Sequence, residues 1–580
     1  MGSTRELEST LARPLGARGS RATVGSADPA AELTPTTAAV LAAIPAWWSA
    51  QAARAGLNGA WLDVHFALDT LPPLALAEAP PLEQQWGPLS AEEVGAAYVE
   101  SLAAETRSRH GRHYTPHELA SQLWNMTRTA LGMRRGASLP LPGLIRDPAC
   151  GAGALLLPAL REHLRASADK DPRLVLSRIP WLLEGIDMDP AAVWVANVVF
   201  AAEMLPTFAR IPEHLRQPLP KLARVGDGLD AEVRPARAVV MNPPYGRVRL
   251  TVPDRERFAD VLYGHANLYG LFMAAASGSL DEDGVLSALV PTSFTAGRYF
   301  EPLRRRLTTS LRLREVAFVA DRSGVFTSVL QETCLATFTR KRAQKTRISS
   351  VGSTLTYVAT VKSPTGGAPW LLPRRSDLAP IAAAAAQLPL NLGAAGWRVS
   401  TGPLVWNRRR DDLHARPASG RLPIVWAADI DGGVLHRDQA RAAHRYIALR
   451  SEADYKTLEL GNPCILVQRT TAPEQSRRLV AVELTDAALA ELGGGVVVEN
   501  HVNVLRENEK EPLVSRSLLT RLLSTETLDK LVRCISGSVA LSAYELESIP
   551  LPDAQTLALW EKLDASTLKQ EVERTYLLSD

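Results

Sequence analysis

Four times between Leu144 and Tyr245 a short apolar run stops at a small, acidic or amide residue. Leu144-Ile145-Arg146 leads into Asp147-Pro148-Ala149-Cys150-Gly151-Ala152-Gly153. Leu182-Leu183-Glu184-Gly185-Ile186 leads into Asp187-Met188-Asp189. Ala223-Arg224-Val225 leads into Gly226-Asp227-Gly228, and Ala238-Val239-Val240-Met241 into Asn242-Pro243-Pro244-Tyr245. Apolar helical patterns over Ala154–Leu164 and Ala191–Met204 separate the first three runs. Strand, turn, helix and strand in this order predict an α/β unit with parallel strands. Sheets of this kind bind ligands at the carboxyl ends of their strands, where the polar stops fall.

Each stop suggests a chemistry. The loop after the first strand is neither GxGxxG nor the phosphate-binding GxxxxGK[ST], so its ligand is not expected to be held by phosphates. Small residues there let backbone approach a ligand. Asp147 suits a cationic amino group, and an acid at the end of the second strand, Asp187, is placed to grip a ribose diol. Asp189 precedes Pro190 and reads as a helix cap. Asp227 can accept from an adenine amino group, although Asp-Gly is also a common turn. Asn242 and the carbonyl beside it are two acceptors, enough to hold a planar amino group by both hydrogens. The prolines stiffen that backbone. Tyr245 offers a flat face to a base. Asn-Pro also starts ordinary turns.

The chain of 580 residues is long enough for several domains. A net charge of +3 does not by itself imply nucleic acid, so any basic surface must be local. Cys150, Cys334, Cys464 and Cys534 are far apart and lack metal-ligand spacing. That points to a reducing cytosol, with neither a disulfide framework nor a zinc site. No apolar run reads as a membrane span. Residues 1–30 carry Ser, Arg and Ala but also Glu6, Glu8 and Asp28, which fits a loose N-terminus better than a transit peptide.

Residues 31–110 read as helical, including Ala38–Ala53 and a helix opened by a capping box at Ser90 and running through Ala104. Their role is expected to be packing. In Gly111-Arg112-His113-Tyr114-Thr115-Pro116, Thr115 and Pro116 form a good helix start, which leaves His113 and Tyr114 unexplained. After Tyr245 the loop 246–265 is long enough to be functional. A helix over Asn267–Leu280, a strand over Gly284–Val290, a helix over Phe300–Leu307 and final strands over Leu313–Val319 and Glu332–Arg340 follow. Arg304-Arg305-Arg306 is expected to be a solvated face. Residues 346–394 read as a connecting segment. From 395 to 555 short strands alternate with polar, arginine-bearing loops, and a helix closes the chain over 556–580.

Together these motifs resemble the gamma-class N6-adenine DNA methyltransferases of restriction-modification systems, with a TaqI-type layout. Asp147–Gly153 is similar to the family's cofactor loop, Asn242–Tyr245 to its catalytic motif, and Gly111–Pro116 to its extra cofactor-binding motif. Asn267–Phe272, Gln468–Thr471, Glu499–Asn503 and the Ile535–Ser538 ending are also similar. The likeness spans roughly residues 90–555; the first 85 match no family motif.

The resemblance implies an α/β, Rossmann-like class I S-adenosylmethionine-dependent methyltransferase domain over 111–345. An N-terminal helical segment precedes it and a C-terminal α+β target-recognition domain follows over 395–555. It implies S-adenosylmethionine as cofactor, contacted by Tyr114, Thr115, Asp147, Ala149, Gly151, Asp187, Asp227 and Gly228. Asp187 departs from the family, which often has Glu there. Asn242, Pro243 and Tyr245 would be catalytic. Pro244, Phe338, Arg469 and Arg477 would bind substrate, Phe338 as a second stacking aromatic or as an ordinary core residue. Double-stranded DNA is the implied partner, with a separate restriction endonuclease or defence-system subunits. Two other readings stay open: a methyltransferase acting on another exocyclic amine or amide in RNA or protein, and a non-catalytic DNA-recognition subunit. Little uncommitted chain remains for a fused nuclease.

Overall fold

The computed structural model describes residues 34–577 except 72–85, 106, 108–113, 135–137, 231–232, 320–331, 341–342, 472–474 and 510. The expected loose N-terminus and Gly111-Arg112-His113 therefore lie outside the described residues.

Nine strands form the main sheet. In chain order they are β1 (Ile145–Asp147), β2 (Leu183–Asp187), β3 (Ala223–Val225), β4 (Ala236–Met241) and β5 (Leu280–Pro291). β6 (Arg312–Val319), β7 (Thr333–Thr339), β8 (Lys345–Val351) and β9 (Leu355–Lys362) complete it. The spatial order is β9-β8-β6-β7-β5-β4-β1-β2-β3. β3 through β5 pair in parallel, and β7 runs antiparallel between β5 and β6. β7 inside the sheet and β9 at its edge thus run against the other seven strands, and the mainly parallel sheet has the Rossmann-like arrangement expected of a class I S-adenosylmethionine-dependent methyltransferase domain.

Successive residues of a strand face opposite sides, so a sheet covered on both faces must be apolar throughout. Ala238 and Val240 of β4 accordingly pack in one core, Val239 and Met241 in the other. The first core is closed by α1 (Pro35–Arg54), α2 (Ala91–Ser101), α3 (His117–Ala130), α4 (Leu157–Ala166) and α5 (Pro190–Ala209). The second is closed by α6 (Leu268–Gly278) and α7 (Glu301–Ser310). α5 is long and apolar enough to cross a membrane, which the sequence reading did not register, but 78% of its apolar window is buried inside the fold. Its side chains are apolar all round because α1, α2, β2 and β3 all pack on it.

Two expectations about the elements are corrected. The final strands of the sheet are β8 and β9, not the strand ending near Arg340, so the main sheet runs to Lys362 into the expected connecting segment. Arg304 is not on a solvated face. It is 0% exposed and donates to the carbonyls of Phe294, Gly297 and Gly367.

The C-terminal lobe holds a four-stranded antiparallel sheet, β10 (Trp397–Thr401), β11 (Cys464–Gln468), β12 (Ala481–Leu484) and β13 (Val502–Glu507), in the order β10-β13-β11-β12. A five-stranded sheet centred on Arg421–Val425 lies with it. Helices Arg516–Leu523, Glu526–Ile535 and Ala565–Leu577 share a core with the four-stranded sheet. The helix Ala379–Ala385, before β10, packs on Glu526–Ile535 and Ala565–Leu577.

Candidate functional site

The strand order reverses direction between β1 and β4, with β2 and β3 on one side and β5 on the other. In such sheets a crevice opens at that point beyond the carboxyl ends. A cleft open to solvent lies there, lined by Tyr114, Thr115, Asp147, Gly151, Leu155 and Asn242, among others. Residues from β1, β4 and the segment before α3 are thus brought together across nearly 130 positions of sequence.

Asp147 ends β1 and is 1% exposed. Its Oδ1 accepts from the Ala149 N–H at 3.1 Å. Burial pushes its carboxyl up to about 8, against that hydrogen bond, with the nearby Asp187 charge adding to the rise. A buried acid in this condition is a receptor for a cation. The Tyr114 phenol, pushed up by burial and by the Glu92 charge, has a buried Oη with no hydrogen-bond partner. Gly151 sits at φ 49°, and a side chain there would meet nothing within 4 Å, so its face is open to the cleft. An orphaned donor, an uncompensated acid and open backbone form a fitting cradle for the amino-acid end of S-adenosylmethionine.

The other cofactor candidates sit around this loop. Asp187 ends β2, its Oδ2 accepting from Gly151 N–H and its Oδ1 from Asp189 N–H, both at 2.9 Å. It thereby fixes the loop. Asp189 caps α5 through Ala191 N–H and accepts from the Tyr98 hydroxyl at 2.7 Å. Asp227 accepts from Leu229 N–H at 2.9 Å in a turn. A Cβ on Gly228 would overlap the Pro148 carbonyl, so this glycine lets the β3 turn lie against the cofactor loop. Ala149 is half-buried on the cleft wall.

Asn242 follows β4 directly. Its Nδ2 donates to Thr115 Oγ1 at 3.0 Å, and its Oδ1 lies 2.9 Å from the Tyr245 hydroxyl. That hydroxyl also lies 3.1 Å from the Leu289 carbonyl, so its single hydrogen is shared. Burial pushes the Tyr245 phenol upward, which keeps it a donor. The amide is therefore held by its nitrogen, with its oxygen toward the tyrosine. Thr115 does not cap α3 as expected; Pro116 occupies that position and Thr115 turns to Asn242 instead. Pro243 is buried, while Pro244 and the Tyr245 ring are half-buried. The Tyr245 ring meets Tyr269 edge-on at 6.1 Å.

The sequence reading missed α2 as part of the site. A Cβ on Gly95 would come within 2.9 Å of the Tyr114 ring, and Val99 of the same helix lines the cleft. A glycine inside an otherwise well-capped helix was the available signal.

Phe338 is corrected as a stacking candidate. It is 0% exposed in β7, between Leu286 and Leu313 on neighbouring strands, with Phe294 and Trp370 rings at 6.4 and 6.3 Å. A central strand covered on both faces gives that ring no path to a base. Arg469 and Arg477 are corrected in part. Arg469 donates to the Asn500 carbonyl at 3.2 Å, and Arg477 to the Leu479 and Leu523 carbonyls at 3.3 Å, so both are partly committed to backbone. Arg478 is 0% exposed; burial lowers it to about 10, and it donates to the Ser536 and Ser538 carbonyls. The four cysteines are free, buried thiols.

The family model of the Eco57I restriction-modification methylases matches residues 237–326, a span that includes all but the first residue of β4, Asn242–Tyr245 and α6. The Type II methyltransferase M.PstI of Providencia stuartii is 25% identical over 333 residues, covering 55% of this chain and 65% of that protein. M.BsuBI of Bacillus subtilis, also a Type II methyltransferase, is 23% identical over 342 residues, with the same coverage of 55% and 65%. The chain thus matches just under two thirds of the length of these relatives. Among solved structures, the Type IIL enzyme MmeI in complex with DNA aligns with a TM-score of 0.48 at 13% identity, covering 85% of this chain and 78% of that one. The type IIG restriction endonuclease BpuSI aligns with 0.45 at 12% identity, covering 94% and 73%. The chain is similar to Type II restriction-modification methyltransferases.

Proposed function

We propose that the protein transfers a methyl group from S-adenosylmethionine to the N6 amino group of an adenine in double-stranded DNA, as the modification component of a restriction-modification or related defence system. The observation that carries this is the amide of Asn242, held by Thr115 at the mouth of the cleft that contains Asp147. Asp147 and Tyr114 would hold the cofactor's amino-acid end, Asp187 the ribose and Asp227 the adenine. The bound cofactor supplies an electrophilic methyl group on a sulfonium.

An adenine inside a duplex hides its amino group, so the base must be flipped out. Asn242 Oδ1 and the Pro243 carbonyl would accept the two amino hydrogens. That localises the nitrogen lone pair and aims it at the methyl carbon. These two acceptors would stabilise the positive charge that the amino nitrogen gains on accepting the methyl group, and one of its protons would then leave to solvent. Positioning and electrostatics supply the rate rather than a strong base. Tyr245, anchored through its hydroxyl, would present its half-exposed ring to the base, with Pro244 beside it.

The test is single-turnover methyl transfer to duplex DNA, with the product nucleoside identified. Wild type should form N6-methyladenine. Asn242→Ala should slow transfer roughly 100-fold or more, the scale for removing one preorganised transition-state contact, with cofactor affinity unchanged. Methylation at another atom, or a wild-type rate in the variant, would reject the assignment.

A further inference from the structure

Between Val405 and Tyr446 the chain carries eight arginines and five aspartates, with no lysine or glutamate. Two of the aspartates are spent inside the lobe. Asp429 accepts from the Trp426 and Asp438 N–H groups and from Arg445 Nη1, each at 2.9 Å. Asp412 is engaged by Arg409 and Arg450. Among the described residues, the ion pairs of this segment use Arg409 and Arg445 and leave out Arg408, Arg410, Arg416, Arg421, Arg437 and Arg441. Asp411 and Asp431 remain at the surface.

Of these six, Arg410, Arg437 and Arg441 lie on rings. Arg410 is 5.4 Å from the Trp406 centroid, Arg441 4.9 Å from Trp426, and Arg437 5.3 Å from Tyr446. Trp406 and Trp426 meet at 6.1 Å, and His444 lies 6.3 Å from Trp406. Trp426 is fixed by its Nε1 donating to the His444 carbonyl at 2.9 Å. The result is a cation–aromatic ladder: Arg410, Trp406, Trp426, Arg441, with Arg437 on Tyr446 beside it. Significant cation–π pairs occur about once per 70–80 residues, so three over this stretch are a concentration. A solvated charge run would not need its aromatic floor.

We propose that this ladder is the surface by which the C-terminal lobe grips the sugar–phosphate backbone of duplex DNA, with Arg410, Arg437 and Arg441 each contacting a phosphate. The proposal rests on the DNA substrate argued above. A guanidinium laid on a ring is weakly hydrated and keeps its N–H edges outward, ready for phosphate oxygens. The rings are floor, not platform. Trp426 is buried, and Arg410 and Arg437 each cover one face of the half-buried Trp406 and Tyr446 rings, which reduces the area open to unstacked bases. That favours a duplex over a single strand.

The test uses the full-length protein with Arg410→Gln, Arg437→Gln and Arg441→Gln, singly and together. Binding to a labelled duplex is followed by fluorescence anisotropy across a potassium chloride series. Each lost phosphate contact should lower the slope of log affinity against log salt by about 0.9, and the triple variant by about three times that. S-adenosylmethionine affinity and melting temperature should stay at wild-type values. If the triple variant melts early, the single substitutions give the same reading one contact at a time. A wild-type slope and affinity in the variants would overturn the ladder, as would loss of single-stranded but not duplex binding. Absence of duplex binding by the wild-type protein would instead reject the DNA reading itself.

Discussion

Asp147 is the residue at which burial and chemistry meet most directly. Its carboxyl titrates at about 8 in the folded protein, against about 3.9 in an unfolded chain. Between those values the native state holds a proton that the unfolded chain has lost, so stability falls as pH rises through that window. A cationic ligand group reverses the preference, because it pairs with the carboxylate. S-adenosylmethionine binding at roughly pH 6–7 should therefore release close to one proton, and the release should vanish above about pH 9. Asp147→Asn should abolish the release, raise the melting temperature of the cofactor-free protein above pH 8, and weaken cofactor binding roughly 10- to 100-fold, the scale of a charged hydrogen bond. Calorimetry in buffers of different ionisation enthalpy reads the proton count; zero release by the wild type at pH 6.5 would sink the assignment. The place of Asp147 at the end of a strand was legible in the sequence because an acid stops the apolar run there. Phe338 was not, since an aromatic in a strand reads the same whether it faces a ligand or a core. Arg469 and Arg477 were misjudged for a similar reason: sequence shows that a guanidinium is present, but not which carbonyls it reaches.

At the scale of elements, the four polar strand ends were readable because buried parallel strands are continuous apolar runs with sharp stops. β8 and β9 were not. Their residues alternate between buried and exposed, as in Lys345, Thr346, Arg347 and Ile348, because they form the sheet's outer hairpin with one open face. Without a continuous apolar run they read as linker. The turns between elements carry a sharper constraint than the elements themselves. Gly228 lies so close to the Pro148 carbonyl that any side chain must push the β3 turn and the cofactor loop apart. Gly228→Ala should cost about 1–3 kcal/mol, the usual range for overpacking. It should also weaken S-adenosylmethionine binding while leaving the far-ultraviolet circular dichroism spectrum unchanged. A substitution silent in both urea unfolding and cofactor titration would mean that the two turns do not need this contact.

At the scale of the molecule, the division into a half that carries the strand-end motifs and a C-terminal lobe was expected from where the motifs fall, but the coupling between them could not be read from sequence. One link runs through Arg374, in the expected connecting segment, beside others such as the Tyr544 hydroxyl with Arg304 and Glu301. Arg374 donates from Nε and Nη2 to Glu332 at 3.0 and 3.2 Å, and from Nη1 to the Arg533 carbonyl at 3.3 Å. Its guanidinium also lies 4.4 Å from the Phe318 ring centroid. Glu332 in turn accepts from the Thr292 hydroxyl at 2.9 Å, just past the end of β5. Leu289, whose carbonyl anchors the Tyr245 hydroxyl, sits on that same strand. Gly537 of the C-terminal lobe packs directly on the pair, where a Cβ would overlap both side chains. One bidentate clamp thus ties the Arg533–Gly537 stretch to the strand end beside the proposed base pocket. Arg374→Ala leaves Glu332 with its charge largely buried and its main partner gone. The cost should be about 3 kcal/mol, the lower end for breaking a buried pair, because the two side chains retain 17% and 11% exposure. Arg374→Lys keeps the charge but loses the fork, so it should fall between the two. If the clamp fixes the lobe over the cleft, kcat/KM for DNA should drop in the folded Ala variant while S-adenosylmethionine affinity holds. A folded Arg374→Ala protein with wild-type kcat/KM for DNA would show that the lobes align without it.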